Sequence, residues 1–293
     1  MGDSGVQDPH AGRQSYNERR PAPALGRLAS SVWIQQVSPG AVPYTQCNIP
    51  NGSVEFRCRV GSVPQVVGPL TSPLVEVLAP GTTIVGVRFH PGAAAPVLGL
   101  PASELVDLAL DADELWGPSA AAVGELVDES PSPQAALAVL EEQIVARLAD
   151  AARPDPLVME AVRRLRSRRG EGVGSLTSSL YISERQLRRR CQAVVGLAPK
   201  ALHRMLRFQG FLALTQFALS RGRAPAADGL VGLVAEAGYA DQSHLTRECV
   251  RLTGRTPRTY LGETEQACGC GHDHSASFLP LRRSRGLLAA ASV

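Results

Sequence analysis

The sequence predicts an α+β chain, a small and mainly β N-terminal domain followed by an all-α region built as a double helix-turn-helix. Three observations point there. Short β-rich runs broken by Pro and Gly fill residues 31–89, helical periodicity takes over from Ser130, and two helical stretches repeat one another at a fixed offset of 58 positions. At that offset Tyr181, Leu187, Arg189, Cys191, Gly196 and Pro199 match Tyr239, Leu245, Arg247, Cys249, Gly254 and Pro257, with Ser183 and Asp241 as paired helix caps.

Composition narrows the class. A chain of 293 residues with 44% hydrophobic content holds two ordinary domains with a core each. The net charge of +3 hides an asymmetry: residues 1–160 carry 9 Lys+Arg against 18 Asp+Glu, whereas residues 161–260 carry 18 against 6. The basic block is where a polyanion would bind. Lys200 is the only lysine, so that charge is almost all arginine, the side chain suited to bidentate contact with guanine and phosphate. A GC-rich genome accounts equally well for the arginine content, although not for its clustering. The scattered cysteines form no disulfide framework, and no apolar run approaches the roughly 20 residues of a membrane span, so a cytoplasmic protein is expected.

Taken in order, residues 1–28 read as a disordered lead-in. Strand-like runs follow at 32–37, 53–60, 74–78 and 82–89, a short helical stretch at 103–110, and Trp116-Gly117 closes a β-rich domain over residues 29–120. From Ser130-Pro131 the apolar stripe of Leu137, Val139, Leu140, Ile144 and Leu148 predicts a helix over 130–152, either a linker or dimer helix or one packed on its own domain. A helix at 156–169 with Val158, Val162 and Leu165 on one face opens the basic region.

In the second copy Leu230, Leu233, Val234 and Ala237 define one buried helix face, Gly238 supplies a left-handed turn, and Asp241 caps the next helix. Leu245, Cys249 and Leu252 point inward there. That leaves Gln242, Ser243, Thr246 and Arg247 outward with His244 beside them, a set whose chemistry suits the edges of base pairs in a major groove. The first copy has Ser183 as cap, Leu187, Cys191 and Val194 inward, and Arg185, Arg188 and Arg189 outward beside Arg190. Such arginine density favours phosphate attraction over base readout. Between the copies, Leu202, Met205, Phe208, Leu212, Leu214 and Phe217 predict a rod-like helix to about Leu219. A stiff helix can hold two recognition helices about 34 Å apart, the spacing of successive major grooves on one DNA face.

The run Ala237-Gly238-Tyr239-Ala240-Asp241-Gln242-Ser243-His244-Leu245-Thr246-Arg247, followed by Gly254, Thr256-Pro257 and Tyr260, resembles the AraC/XylS family of bacterial transcription regulators. The resemblance covers about residues 155–261 and implies seven helices, with two DNA-binding helix-turn-helix units joined by a long helix. It places base-reading positions on Arg185, Arg188 and Arg189, then on Gln242, Ser243, His244 and Arg247, with Thr256, Pro257 and Arg258 near the DNA backbone. Two departures stand out: cysteines at 191 and 249 where the family has bulky aromatics, and Leu180 where its first unit has a turn glycine.

The stretches Ile49-Pro50-Asn51-Gly52 and Gly86-Val87-Arg88-Phe89-His90-Pro91-Gly92 resemble the β-rich, cupin-like sensor domain ahead of some actinobacterial AraC-like units. His90 is the only histidine between residues 11 and 202, which leaves too few ligands for a cupin metal centre. Arg57, Arg88 and His90 are either an anion-binding set or structural side chains. In the tail at 262–293, Cys268, Cys270, His272 and His274 alternate with other residues, so an extended chain could turn all four toward Zn(II) or Cu(I), or the tail is merely solvated.

The expected function is a sequence-specific regulator that binds double-stranded promoter DNA under control of the N-terminal domain. Its expected partners include a small-molecule effector, RNA polymerase and a second copy of the chain. No cofactor is required and no nucleophile or acid–base pair suggests catalysis. A metal- or redox-responsive protein sensing through the tail is the alternative. A DNA-repair enzyme would need more reactive N-terminal cysteines than Cys47 and Cys58.

Overall fold

The computed structural model describes residues 14–148, 153–166, 172–219 and 227–261. The N-terminal half is built on β1 (Gln14–Arg19), β2 (Ala29–Val37), β3 (Tyr44–Asn48), β4 (Glu55–Arg59), β5 (Gln65–Val67), β6 (Leu74–Leu78), β7 (Thr83–Phe89) and β8 (Ala109–Asp111). Six of these form one antiparallel sheet in the order β1-β2-β7-β4-β5-β8, and β3 pairs with β6 in a second.

Alternation gives the large sheet two different faces. Val32 and Ile34 of β2, Val85, Val87 and Phe89 of β7, and Phe56 and Cys58 of β4 share a core with α3 (Pro118–Asp128) and α4 (Pro133–Arg147), reached after the short helices α1 (Ala95–Leu98) and α2 (Asp113–Trp116). On the opposite face Trp33, Val37 and Ile84 pack with Leu78 of β6. Buried charges there are paired: Arg88 with Glu18 and Glu55, and Arg57 with Glu76 at 2.6 Å. These pairings support the reading of Arg57 and Arg88 as structural side chains over an anion-binding set, because each arginine already holds a carboxylate.

Two further expectations change, and one open alternative is decided. The lead-in expected to be disordered contains β1, which pairs with β2 along its whole length, and the buried Leu25 in a 3-10 turn. Strand β1 escaped notice because its sequence, Gln-Ser-Tyr-Asn-Glu-Arg, has no apolar alternation: of its inward side chains Tyr16 packs on Trp33 while Glu18 is paired with Arg88. The 103–110 stretch is a 3-10 turn at Ala102–Glu104 followed by β8. Helix α4 buries Ala136, Leu137, Leu140 and Ile144 against its own sheet, so within its described span it completes the N-terminal domain. Its Glu141 accepts from the Ala22 N–H at 2.7 Å and pairs with Arg19, fastening β1 to the helix layer.

Among the described residues the C-terminal half comprises α5 (Pro156–Leu165), α6 (Val173–Ser179), α7 (Glu184–Val195), α8 (Pro199–Leu219), α9 (Ala227–Glu236), α10 (Gln242–Thr253) and a helical turn at 257–261, the seven helical segments expected. One core runs through it, from Val158, Val162 and Leu165 of α5, through Leu176 and Leu187, to Phe208 and Phe211 of α8 and Leu245 and Leu252 of α10. Helix α8 contributes to both units, as a connecting rod should.

Candidate nucleic-acid interface

The second unit follows its sequence closely. Gly238 is left-handed at φ 84°, the Tyr239 N–H donates to Val234 O, and the Asp241 side chain caps α10 by accepting from the His244 N–H at 2.6 Å. Leu245 and Cys249 are fully buried, which turns the opposite face of α10 outward. Gln242, Ser243 and Arg247 are exposed there, and Arg258 is exposed beyond it. His244 is half-buried with its ring edge-on to Tyr239 at 5.2 Å, and Thr246 donates its hydroxyl to Gln242 O. Both are therefore held more tightly than the three exposed side chains. Arg207 of α8 lies 4.9 Å over the Tyr239 ring and donates to Gly238 O at 3.4 Å, fixing the turn to the rod. Burial pushes the Tyr239 phenol above its ordinary range, so it stays neutral.

In the first unit Arg185, Arg188 and Arg189 stand exposed on α7 while Leu187 and Cys191 are fully buried beneath them. Arg190 is directed away, in an ion pair with Asp155 at 2.8 Å, while the other Asp155 oxygen caps α5. Ser183 and Gln186 form a reciprocal capping box, so Gln186 is occupied in holding the start of the helix. Burial and the Asp155 charge push the Cys191 thiol up to about 12, which marks it as a packing residue.

The turn of this unit corrects the repeat. Leu180 is an ordinary right-handed residue at φ −94°, and Tyr181 is the left-handed one at φ 54°. Tyr181 N–H donates to Ser178 O and Ile182 N–H to Thr177 O, the same three-back and five-back pattern that Gly238 and Tyr239 make to Ala235 and Val234. Tyr181 is thus the structural counterpart of Gly238, and Ile182 takes the place of Tyr239. From left-handed residue to cap is two positions in the first unit and three in the second, so the offset of 58 aligns the helices and mispairs the tyrosines. Tyr239 is 4% exposed and Tyr181 is 94% exposed.

Sequence reasoning also missed a seat between the two halves of the chain. A Cβ on Gly92 (φ 83°) would lie 3.3 Å from both Val194 and Val195 of α7, and one on Gly52 would lie 2.7 Å from Leu202 of α8. From the other side, Gly196 (φ 78°), the cap of α7, would place a Cβ 2.7 Å from Val106 and 2.8 Å from Ala102 O. Arg166 donates to His90 Nδ1 at 3.2 Å across this seat, and burial with the Arg166 charge lowers His90 to about 3. The available signal was the glycine pattern at 52 and 92. The outward arginines of α7 are exposed while its C-terminal end is covered. Cys268, Cys270, His272 and His274 lie outside the described residues.

Residues 176–263 match a family described as a helix-turn-helix domain, of the AraC type, and residues 17–111 match a domain of unknown function, DUF6597. The chain matches no curated protein. Among solved structures it is similar to ToxT from Vibrio cholerae O395, at 12% identity over 85% of this chain and 97% of that one, with a TM-score of 0.41. It is also similar to the same protein bound to (E)-4-(8-methylnaphthalen-1-yl)but-3-enoic acid, at 12% identity over 85% and 98% of the two chains, with a TM-score of 0.43. Superpositions this loose add nothing to the assignment, which rests on the helix-turn-helix match and on the two units themselves. Residues 176–263 thus form a helix-turn-helix domain of the AraC type, which supports a DNA-binding transcription regulator.

Proposed function

We propose that this regulator reads promoter DNA with two units of unequal kind and that its N-terminal domain controls them through the first. Arg185, Arg188 and Arg189 supply phosphate attraction, while Gln242, Ser243, His244, Thr246 and Arg247 discriminate bases, with Arg258 at the backbone. The observation that supports control is the seat itself, where Gly92, Val106 and Ala102 of one half close on Val194, Val195 and Gly196 at the end of a DNA-reading helix. Any change in the sensor domain that moves the 102–106 segment also moves α7.

A small-molecule effector acting on the N-terminal domain, RNA polymerase at the promoter and a second copy of the chain complete this reading. No catalytic role or cofactor is assigned. Among the described residues no helix is long and apolar enough to cross a membrane. Replacing Val106 with Glu puts a charge into the seat without touching the outward face of α7. This variant is expected to change promoter affinity several-fold while leaving base preference intact, and unchanged affinity would reject control through this contact.

The alternative of a metal-responsive tail keeps its own test. Zinc titration of the full chain against a chain ending at Leu261 makes the tail a sensor if the shorter form loses metal binding and keeps DNA binding.

A further inference from the structure

We propose that Tyr181 is a DNA-backbone contact, its phenol hydroxyl donating to a phosphate beside the groove that α7 enters. Folding gives no reason for a tyrosine at this position. Its backbone holds a left-handed φ of 54°, which an L side chain adopts at a cost and glycine adopts freely, and the equivalent position in the second unit is Gly238. The side chain gives the fold almost nothing in return, since it is 94% exposed. A large aromatic side chain that is kept in a strained turn and left in solvent points to a use outside the fold.

The place identifies the partner. Tyr181 stands two residues before Ser183, the cap of α7, at the end of a recognition helix that enters the major groove between two phosphate backbones. Two of the other polar side chains at this end are turned toward each other, and a third has the wrong charge. Ser183 and Gln186 bond each other, with the Ser183 N–H on Gln186 Oε1 at 2.9 Å, and Glu184 is an anion. Tyr181 adds a strongly exposed neutral donor there, four residues before the first of the exposed arginines Arg185, Arg188 and Arg189. Phosphate contacts of this kind carry no base preference, in keeping with the arginine-rich character of the unit.

The test uses the full chain and a 30-base-pair mixed-sequence duplex, with Tyr181→Phe and Tyr181→Gly. Removing the hydroxyl is expected to weaken binding roughly 5- to 10-fold in both variants. The dependence on salt should stay as in the wild type, because a neutral donor displaces no counterion, whereas Arg189→Ala lowers the salt slope by about one. Tyr181→Gly is also expected to raise the melting midpoint by about 1 to 3 °C, so that stability and affinity move in opposite directions. Wild-type affinity in either variant, or a lower melting midpoint for Tyr181→Gly, overturns the proposal.

Discussion

Gly196 and Gly254 form a matched pair that isolates the contact between the two halves of the chain. Each caps a recognition helix, at φ 78° and 73°, and each donates its N–H four residues back, to Gln192 O at 3.0 Å and Val250 O at 2.8 Å. Their surroundings differ. A Cβ on Gly254 meets nothing within 4 Å, whereas one on Gly196 would stand 2.8 Å from the Ala102 carbonyl oxygen, a backbone atom of the N-terminal domain that no side-chain rotation can move. Alanine at 254 is therefore expected to cost only the left-handed penalty, about 1–2 kcal/mol. Alanine at 196 adds an overpacking cost of about 1–3 kcal/mol, giving a total of roughly 2–5. Urea unfolding of the full chain measures both. If the halves separate to relieve the clash, the loss is capped, and hydrogen exchange at the 102–106 amides rises instead. Equal losses in the two variants with unchanged exchange at 102–106 would show that the space beside Gly196 is not filled by the N-terminal domain, and the control argument would fall with it.

The half-buried His90 makes the seat sensitive to acid. Its folded value of about 3 lies below the ordinary 6.5, so the separated form takes up the proton first and docking is lost as pH falls from about 6.5 toward 3. At pH 5 the loss is about 2 kcal/mol, and His90→Gln should flatten that slope when exchange at 102–106 is followed between pH 8 and 5; a slope that persists in the variant would assign the acid sensitivity elsewhere. In the second unit, Arg207→Met keeps the length of the side chain and removes the charge over Tyr239. It is expected to cost about 1 kcal/mol and to speed exchange in the Gly238–Asp241 turn with no change at Tyr181–Ser183, and equal exchange in both turns would refute the role given to Arg207.

Where local chemistry decides the structure, the sequence was legible. The caps Ser183 and Asp241, the inward residues Leu187, Cys191, Leu245 and Cys249, and the exposed arginines all follow from helical periodicity and capping, both short-range properties. Strands β2, β6 and β7 showed through their β-branched runs. Strand β1 did not, because its buried partners are Arg88 and Trp33, far away in sequence, and burying a paired glutamate leaves no hydrophobic pattern. The repeat misled at one place for a related reason. Letter identity paired Tyr181 with Tyr239, but left-handed backbone is a property of position, and the shorter first turn moved that position onto a residue whose letter gives no sign of it. Gly52, Gly92 and Gly196 were visible as letters and their purpose was not, since close approach between domains is written in neither segment alone.

The unequal reading of DNA by two linked units is tested most directly by selecting bound sequences from a random duplex pool with the wild type and with Arg247→Ala. The expected wild-type site has one sharply defined segment and, about one helical turn (10 base pairs) away, a weakly defined one. Arg247→Ala should relax one position in the sharp segment by about 1–3 kcal/mol of discrimination and leave the other segment as it was. A pool with no enrichment, or a motif that the substitution leaves unchanged, would contradict the account.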